Sequence, residues 1–233
     1  MSRSHFVRAA AAGPFIAVVL ISGCGGSAPT AGGSDPGGAP RAVPVSYAPG
    51  SPGVSSPSAK IRAEDGAGKL LFELSPSAKG YDVSADGGRK LGTVKVEADR
   101  VKASDERGRP AFKVKQKEGG FKLYREPAGA GGADIELAHL RTDADGFKIK
   151  DAQGRELFQG KTKEAKTKVT GPGGASWKLK AKDDGLEVED AAGKRLIRVK
   201  GLRSMPAAVF CAAPRYSPLQ KATVAAYCAR IAP

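Results

Sequence analysis

From Lys60 onward, apolar and polar residues alternate one by one in short runs. Phe121-Lys-Leu, Phe147-Lys-Ile-Lys, Trp177-Lys-Leu-Lys and Leu186-Glu-Val-Glu each set apolar groups on one side of an extended chain and charges on the other. A period of two belongs to a β-strand with one dry face and one wet face. The runs are divided by a recurring Asp-x-x-Gly, at Asp65-x-x-Gly68, Asp105-x-x-Gly108, Asp151-x-x-Gly154 and Asp190-x-x-Gly193. Asp accepts hydrogen bonds from the amides ahead of it and Gly takes the positive φ that closes a tight turn, so each copy predicts one β-hairpin. These hairpins cover 61–72, 101–112, 147–158 and 186–197. Residues 81–94, with Asp86-Gly87-Gly88 at the tip, are a looser copy, and further turns are expected at 127–132, 171–174 and 183–185. The runs between turns number about twelve to fourteen short strands.

Calcium at the Asp tips is not expected, because a calcium loop converges several oxygen ligands and each tip brings one carboxylate with Arg or Lys close behind in most copies.

The chain changes character after 204. Residues 205–214 carry no charge until Pro214 ends them, then Ser217 and Pro218 offer an N-cap and a first-turn proline to a helix over 217–231. Its stretch 222–229 has no charge on any side, so it must be buried in protein or membrane. A helix of this length spans roughly 21 Å against a bilayer core of roughly 30 Å, which favours burial in the protein. A long antiparallel sheet with one dry face loses its edges by closing, and the helix supplies an apolar filling. The predicted fold class is therefore mainly β, an antiparallel barrel of about twelve strands enclosing a hydrophobic C-terminal helix, over 59–233. A β-sandwich with the helix packed across an open end is the alternative. An outer-membrane barrel fits less well, since the strands are short and aromatic girdles are missing.

The first 23 residues carry Arg3 and Arg8, no acid, and an apolar stretch from Ala9 to Ile21 broken by Gly13 and Pro14. This pattern predicts a signal peptide. Leu20-Ile21-Ser22-Gly23-Cys24 resembles the bacterial lipobox, which implies cleavage before Cys24 and lipidation of its thiol. Residues 25–58 are mostly Gly, Ser, Pro and Ala with only Asp35 and Arg41 charged, the composition of a tether with a span of roughly 30 Å. No Asp follows Cys24, which favours the outer membrane if the cell has two.

Charge narrows the partners. The chain has 38 basic and 24 acidic residues; cleavage removes Arg3 and Arg8 and leaves 36 against 24, a formal +12. Such a field favours anionic lipid headgroups or acidic glycans, with nucleic acid not expected outside the cytoplasm. The alternation turns Lys113, Lys115, Lys122, Lys148, Lys150, Lys178 and Lys180 outward, and strand order decides whether they form one patch.

Hairpin repeats of the 147–158 type ending in the apolar stretch 217–231 resemble the tubby C-terminal fold shared by LURP-one-related and phospholipid-scramblase-like proteins. The resemblance covers roughly 60–231 and implies a barrel around a central helix. Tubby proteins bind phosphoinositides through basic residues, but no basic motif here maps onto theirs, so that function is not carried over.

Little points to catalysis. His139 shares a strand phase with Ile135 and Leu137 and is expected in the core or at its rim. No nucleophile motif and no phosphate-cradling loop is present, and no cofactor or metal is expected. Cys211 and Cys228 are candidates for a disulfide, or for two buried free thiols if 205–213 and 218–231 form an antiparallel helix pair. The expected function is a lipid-anchored, non-enzymatic, monomeric envelope module that binds or scaffolds anionic partners. A small-ligand carrier and an envelope hydrolase are the alternatives.

Overall fold

The computed structural model describes residues 59–231 other than 128, 130, 131, 164 and 165. The expected signal peptide, Cys24 and the expected tether lie outside the described residues. The alternating runs form β1 (Ile61–Asp65), β2 (Leu70–Ser77), β3 (Gly80–Ser84), β4 (Lys90–Val96), β5 (Arg100–Asp105), β6 (Pro110–Lys117) and β7 (Gly120–Arg125). They continue as β8 (Ile135–Asp143), β9 (Gly146–Lys150), β10 (Glu156–Lys163), β11 (Lys166–Thr170), β12 (Ser176–Lys182), β13 (Gly185–Glu189) and β14 (Arg195–Lys200). Two helices follow, α1 (Met205–Ala212) and α2 (Pro218–Ile231). Each strand pairs antiparallel with its neighbours in the chain, and β1 pairs with β14, so the sheet closes into a barrel.

The turns carry the chemistry that the Asp offset predicts. Asp65 Oδ1 accepts from the amides of Ala67 and Lys69, both at 2.9 Å, and Gly68 donates its amide to Asp65 O with φ at 86°. Asp105, Asp151 and Asp190 repeat the pattern. In two copies the second carboxylate oxygen takes a guanidinium four residues on, Arg109 at 2.8 Å and Arg155 at 2.7 Å. The turns at 86–88 and 172–174 keep the same backbone frame, with Ala85 and Gly171 where Asp stands elsewhere. At the opposite end of the barrel, β3, β7, β9 and β13 each begin with glycine. A Cβ on Gly80 would lie 1.9 Å from Val94 O and one on Gly185 2.0 Å from Val199 O, so those crossings have no room for a side chain.

The strand count is 14 rather than about twelve, and the reason is the size of the filling. Fourteen strands about 4.8 Å apart and tilted by about 40° give a backbone radius of about 14 Å, wide enough to admit two helices about 10 Å across. α1 and α2 form an antiparallel pair inside. α1 packs against β13, β14 and α2, and α2 packs against β2 to β6. Small residues let the pair fit: Ala207, Ala208, Ala222, Ala225 and Ala226 are all fully buried. Aromatic rings fill the space toward β7, with Phe121 5.7 Å from Phe210 and 5.0 Å from Tyr227 between centroids. Each such fully buried side chain contributes on the order of 1.5–3 kcal/mol.

Both helix starts are capped. Ser204 Oγ accepts from the Ala207 amide, and Pro206 stands in the first turn of α1. Ser217 and Gln220 form a reciprocal capping box at α2, the Ser217 amide donating to Gln220 Oε1 at 2.7 Å and the Gln220 amide to Ser217 Oγ at 3.4 Å. At the far end of α2, Arg230 donates to the carbonyls of Glu97 and Ala98 and to Gln116 Oε1, which ties the helix to the turn between β4 and β5. The chain thus enters β1 and leaves α2 at the same end of the barrel, opposite the Asp turns.

Cys211 and Cys228 are free, buried thiols, and burial pushes both up to about 12. Lys221 lies buried in the first turns of α2 near Cys211, and burial holds its amine below the usual range.

Candidate functional site

The barrel register sets apart two groups of outward basic residues, one on β5 to β8 and one on β10 to β12. On β5 to β8 they stand in rows: Arg100 opposite Lys115, Lys115 opposite Lys122, and Lys122 opposite His139. Acids from neighbouring turns thread between them. Lys113, with a side chain only 13% exposed, meets Asp134 at 2.5 Å and Glu126 at 3.3 Å. Burial works against its charge, but the two carboxylates outweigh it and hold the amine above its usual value. Lys115 reaches Asp134 at 3.5 Å and lies over the Tyr124 ring, and Lys122 meets Glu136 at 2.8 Å. Glu97 gathers Lys95, Arg100 and Lys102 at 3.1, 3.3 and 3.5 Å, and the Lys95 hydrogen bond leads in holding its carboxyl low.

The wall of β10, β11 and β12 is different. Lys161 pairs directly with Lys168, and Lys168 directly with Lys178. Lys166 and Lys182 stand at the same end of these strands. All five are exposed, and none has an acidic partner among the described residues. Like charges directly opposite across antiparallel strands repel, so this row raises the energy of the fold. The row ends at β13, where Glu189 lies opposite Lys178 but pairs with Lys180 at 2.7 Å. Beside it runs an uncharged polar row, Gln159 opposite Thr170 and Thr170 opposite Ser176.

The sequence-predicted lysines are therefore split. Lys113, Lys115 and Lys122 belong to the paired wall, and Lys148 sits 3.7 Å from Glu156. Lys150 faces His139 and Glu156 across its neighbours without an ion pair among the described residues. Lys178 and Lys180 lie on the β10–β12 wall, with Lys180 taken by Glu189. The members that sequence reasoning missed are Lys161, Lys166, Lys168 and Lys182. A signal for three of them was present, since lysines stand at alternate positions 161 and 163 on one side of Glu164-Ala165 and 166 and 168 on the other.

His139 is a correction. It faces outward between Lys122 and Lys150, while Ala138 and Leu140 face the core. A register shift opposite Leu123 and Tyr124 breaks the alternation, so that Leu137 packs on the core beside Ala138 and His139 is turned out. Burial, then the charges of Lys122 and Arg141, lowers its imidazole below the usual value.

One shallow, open depression of about 450 Å³ lies at the Asp-turn end of β12, lined by Gly173, Gly174, Trp177 and Asp190 among others. Trp177 stacks on Phe158 at 5.0 Å. The one acid there, Asp190, already accepts from the amides of Ala192 and Lys194 through Oδ1.

No family model matches the chain, and no curated protein does. Among solved structures, an X-ray structure of a protein from Arabidopsis thaliana is similar at 13% identity, over 63% of this chain and 83% of that one, with a TM-score of 0.36. A likeness at that level carries no inference about function.

Proposed function

We propose that the chain is an exported protein anchored by lipid on Cys24, and that its barrel is a non-enzymatic module binding anionic partners in the cell envelope. The observation that carries the binding half is the β10–β12 wall, where Lys161, Lys166, Lys168, Lys178 and Lys182 are exposed without an acidic partner among the described residues. A carrier of small ligands finds less support. α1, α2, Phe121, Phe210 and Tyr227 occupy the barrel interior, where a ligand would have to lie. A hydrolase finds no converging pair of free carboxylates in the depression beside Trp177. The lipobox-like run before Cys24 supports the anchor, and the tubby-like organisation of the barrel is kept as a resemblance only.

Two measurements test the two halves. In an export-competent bacterial host, the native chain should take up labelled palmitate and sediment with membranes, and C24S should lose both. Equal labelling of C24S would overturn the anchor. Anion binding is tested on the C24S chain at low and high salt, where binding that fades with salt supports the module. Absence of binding at low salt would overturn it.

A further inference from the structure

We propose that the β10–β12 wall is a track for one linear acidic glycan, laid across the strands with its anionic groups on Lys161, Lys168 and Lys178. The proposal rests on the anion-binding function above and names the partner. Three features of the wall favour a flexible chain over a bilayer. First, the free row runs around the barrel rather than along it. In a closed ring of fourteen strands, neighbouring strands turn by about 26°, so outward side chains on three strands diverge by about 50°. A plane meets such a row at its crest, whereas a flexible polymer follows the curve. Adjacent strands lie about 4.8 Å apart, close to the length of one sugar unit.

Second, the row beside the lysines is hydroxyl and amide: Gln159, Thr170 and Ser176. These groups donate to and accept from sugar hydroxyls as readily as from water, while lipid phosphates would use only their donors. Third, among the described residues no large apolar side chain of the wall stands exposed to insert into lipid, Trp177 being half-buried against Phe158. Among the described residues the exposed large hydrophobic is Ile135, on β8.

The repulsion within the row gives the proposal a signature that a surface with no ligand lacks. The free protein is held back by Lys168 standing between two like charges, and a polyanion relieves it. Lys168→Glu should therefore raise the melting temperature of the unliganded chain, by placing an acid opposite both Lys161 and Lys178. The same change should weaken polyanion binding by about tenfold or more.

The test uses the C24S chain at low salt against four probes: an octameric polyuronate, inorganic polyphosphate of matched length, neutral dextran, and vesicles rich in phosphatidylglycerol. Polyuronate is expected to bind and to raise the melting temperature, and dextran to do neither. If polyphosphate of matched length binds as well as polyuronate, the sugar hydroxyls add nothing, and the glycan assignment is overturned while the anion-binding module stands. K168E should lose polyuronate binding without losing stability, and Lys122→Ala, on the paired wall, should keep it. If K168E fails to fold, the pair Lys161→Gln and Lys178→Gln makes the same measurement. Vesicle binding without polyuronate binding would overturn the glycan track and leave the anion-binding module standing. Failure of every anionic probe would overturn both, and K122A weakening binding as much as K168E would overturn the placement of the track.

Discussion

The walls of β5–β8 and of β10–β12 are built from the same alternation of lysine and apolar residue, yet they solve opposite problems. On the first, Arg100, Lys102, Lys113, Lys115 and Lys122 are met by Glu97, Asp134, Glu126 or Glu136, and Lys113 is largely buried among them. On the second, three lysines face one another across neighbouring strands with nothing between. Partly buried pairs contribute to holding strands together, whereas an unneutralised exposed row weakens the sheet that bears it. The contrast teaches that basic content on an alternating strand says little until the cross-strand partners are known. The first wall spends its charge on the fold and the second leaves it available.

The largest effect that would sharpen this contrast comes from removing acids on the paired wall. The double change Asp134→Asn with Glu126→Gln strands Lys113 and should destabilise the chain by about 2 kcal/mol in urea unfolding. Lys168→Gln on the other wall should change stability by no more than about 0.5 kcal/mol, and upward. A loss on both walls alike would erase the distinction.

Acid provides the next test. The Asp134 and Glu97 carboxyls are held below their ordinary values, by Lys113 and by Lys95 first of all. Their stabilisation is full above the unfolded values near 3.8 and 4.5 and is lost as pH falls through the depressed folded ones. Hydrogen exchange resolved by strand should show β5–β8 loosening first below about pH 4, with β10–β12 lagging. Salt should act with opposite sign on the two walls. Going from about 0.1 M to 1 M, screening should lower protection on β5–β8 and raise it on β10–β12, each by tenths of a kcal/mol.

The smallest effect concerns His139, which sits where the two walls approach each other. Because its imidazole is lowered in the fold, the unfolded chain binds the proton more readily. Stability therefore falls as pH drops through about 6.5, and His139→Gln should flatten the slope between pH 7 and 5. An unchanged slope would assign it to other groups.

Much of the fold could be read from the chain because its signals are local. Asp65, Asp105, Asp151 and Asp190 bond to amides two and four residues on, so the turn chemistry is written within five positions. The apolar run through α2 likewise announced an interior helix. The candidate site was less legible because pairing is not local. Asp134 neutralises Lys113 from 21 positions away, and only the strand order reveals it. His139 was misplaced because one bulge reverses the phase of everything beyond it, and a bulge has no residue signature in 135–140. The barrel is wider than one filling helix requires because α1 enters the interior beside α2; the uncharged stretch 205–213 offered such an antiparallel pair, but nothing local in it required a place inside the sheet.

The seam between β1 and β14 has a consequence for how the chain becomes a folded protein. Every other strand contact joins neighbours in the chain and can form as a hairpin within microseconds. The seam alone unites distant segments, as in the Lys200–Glu64 pair 136 positions apart, and the helices that complete the core follow β14. A string of half-dry hairpins thus waits, apolar faces open, until the seam closes and the helical pair is delivered. Folding should show one slow, late step sensitive to changes in β14 and α2 and indifferent to changes on the outward face of β5 or β6, and aggregation should compete with that step.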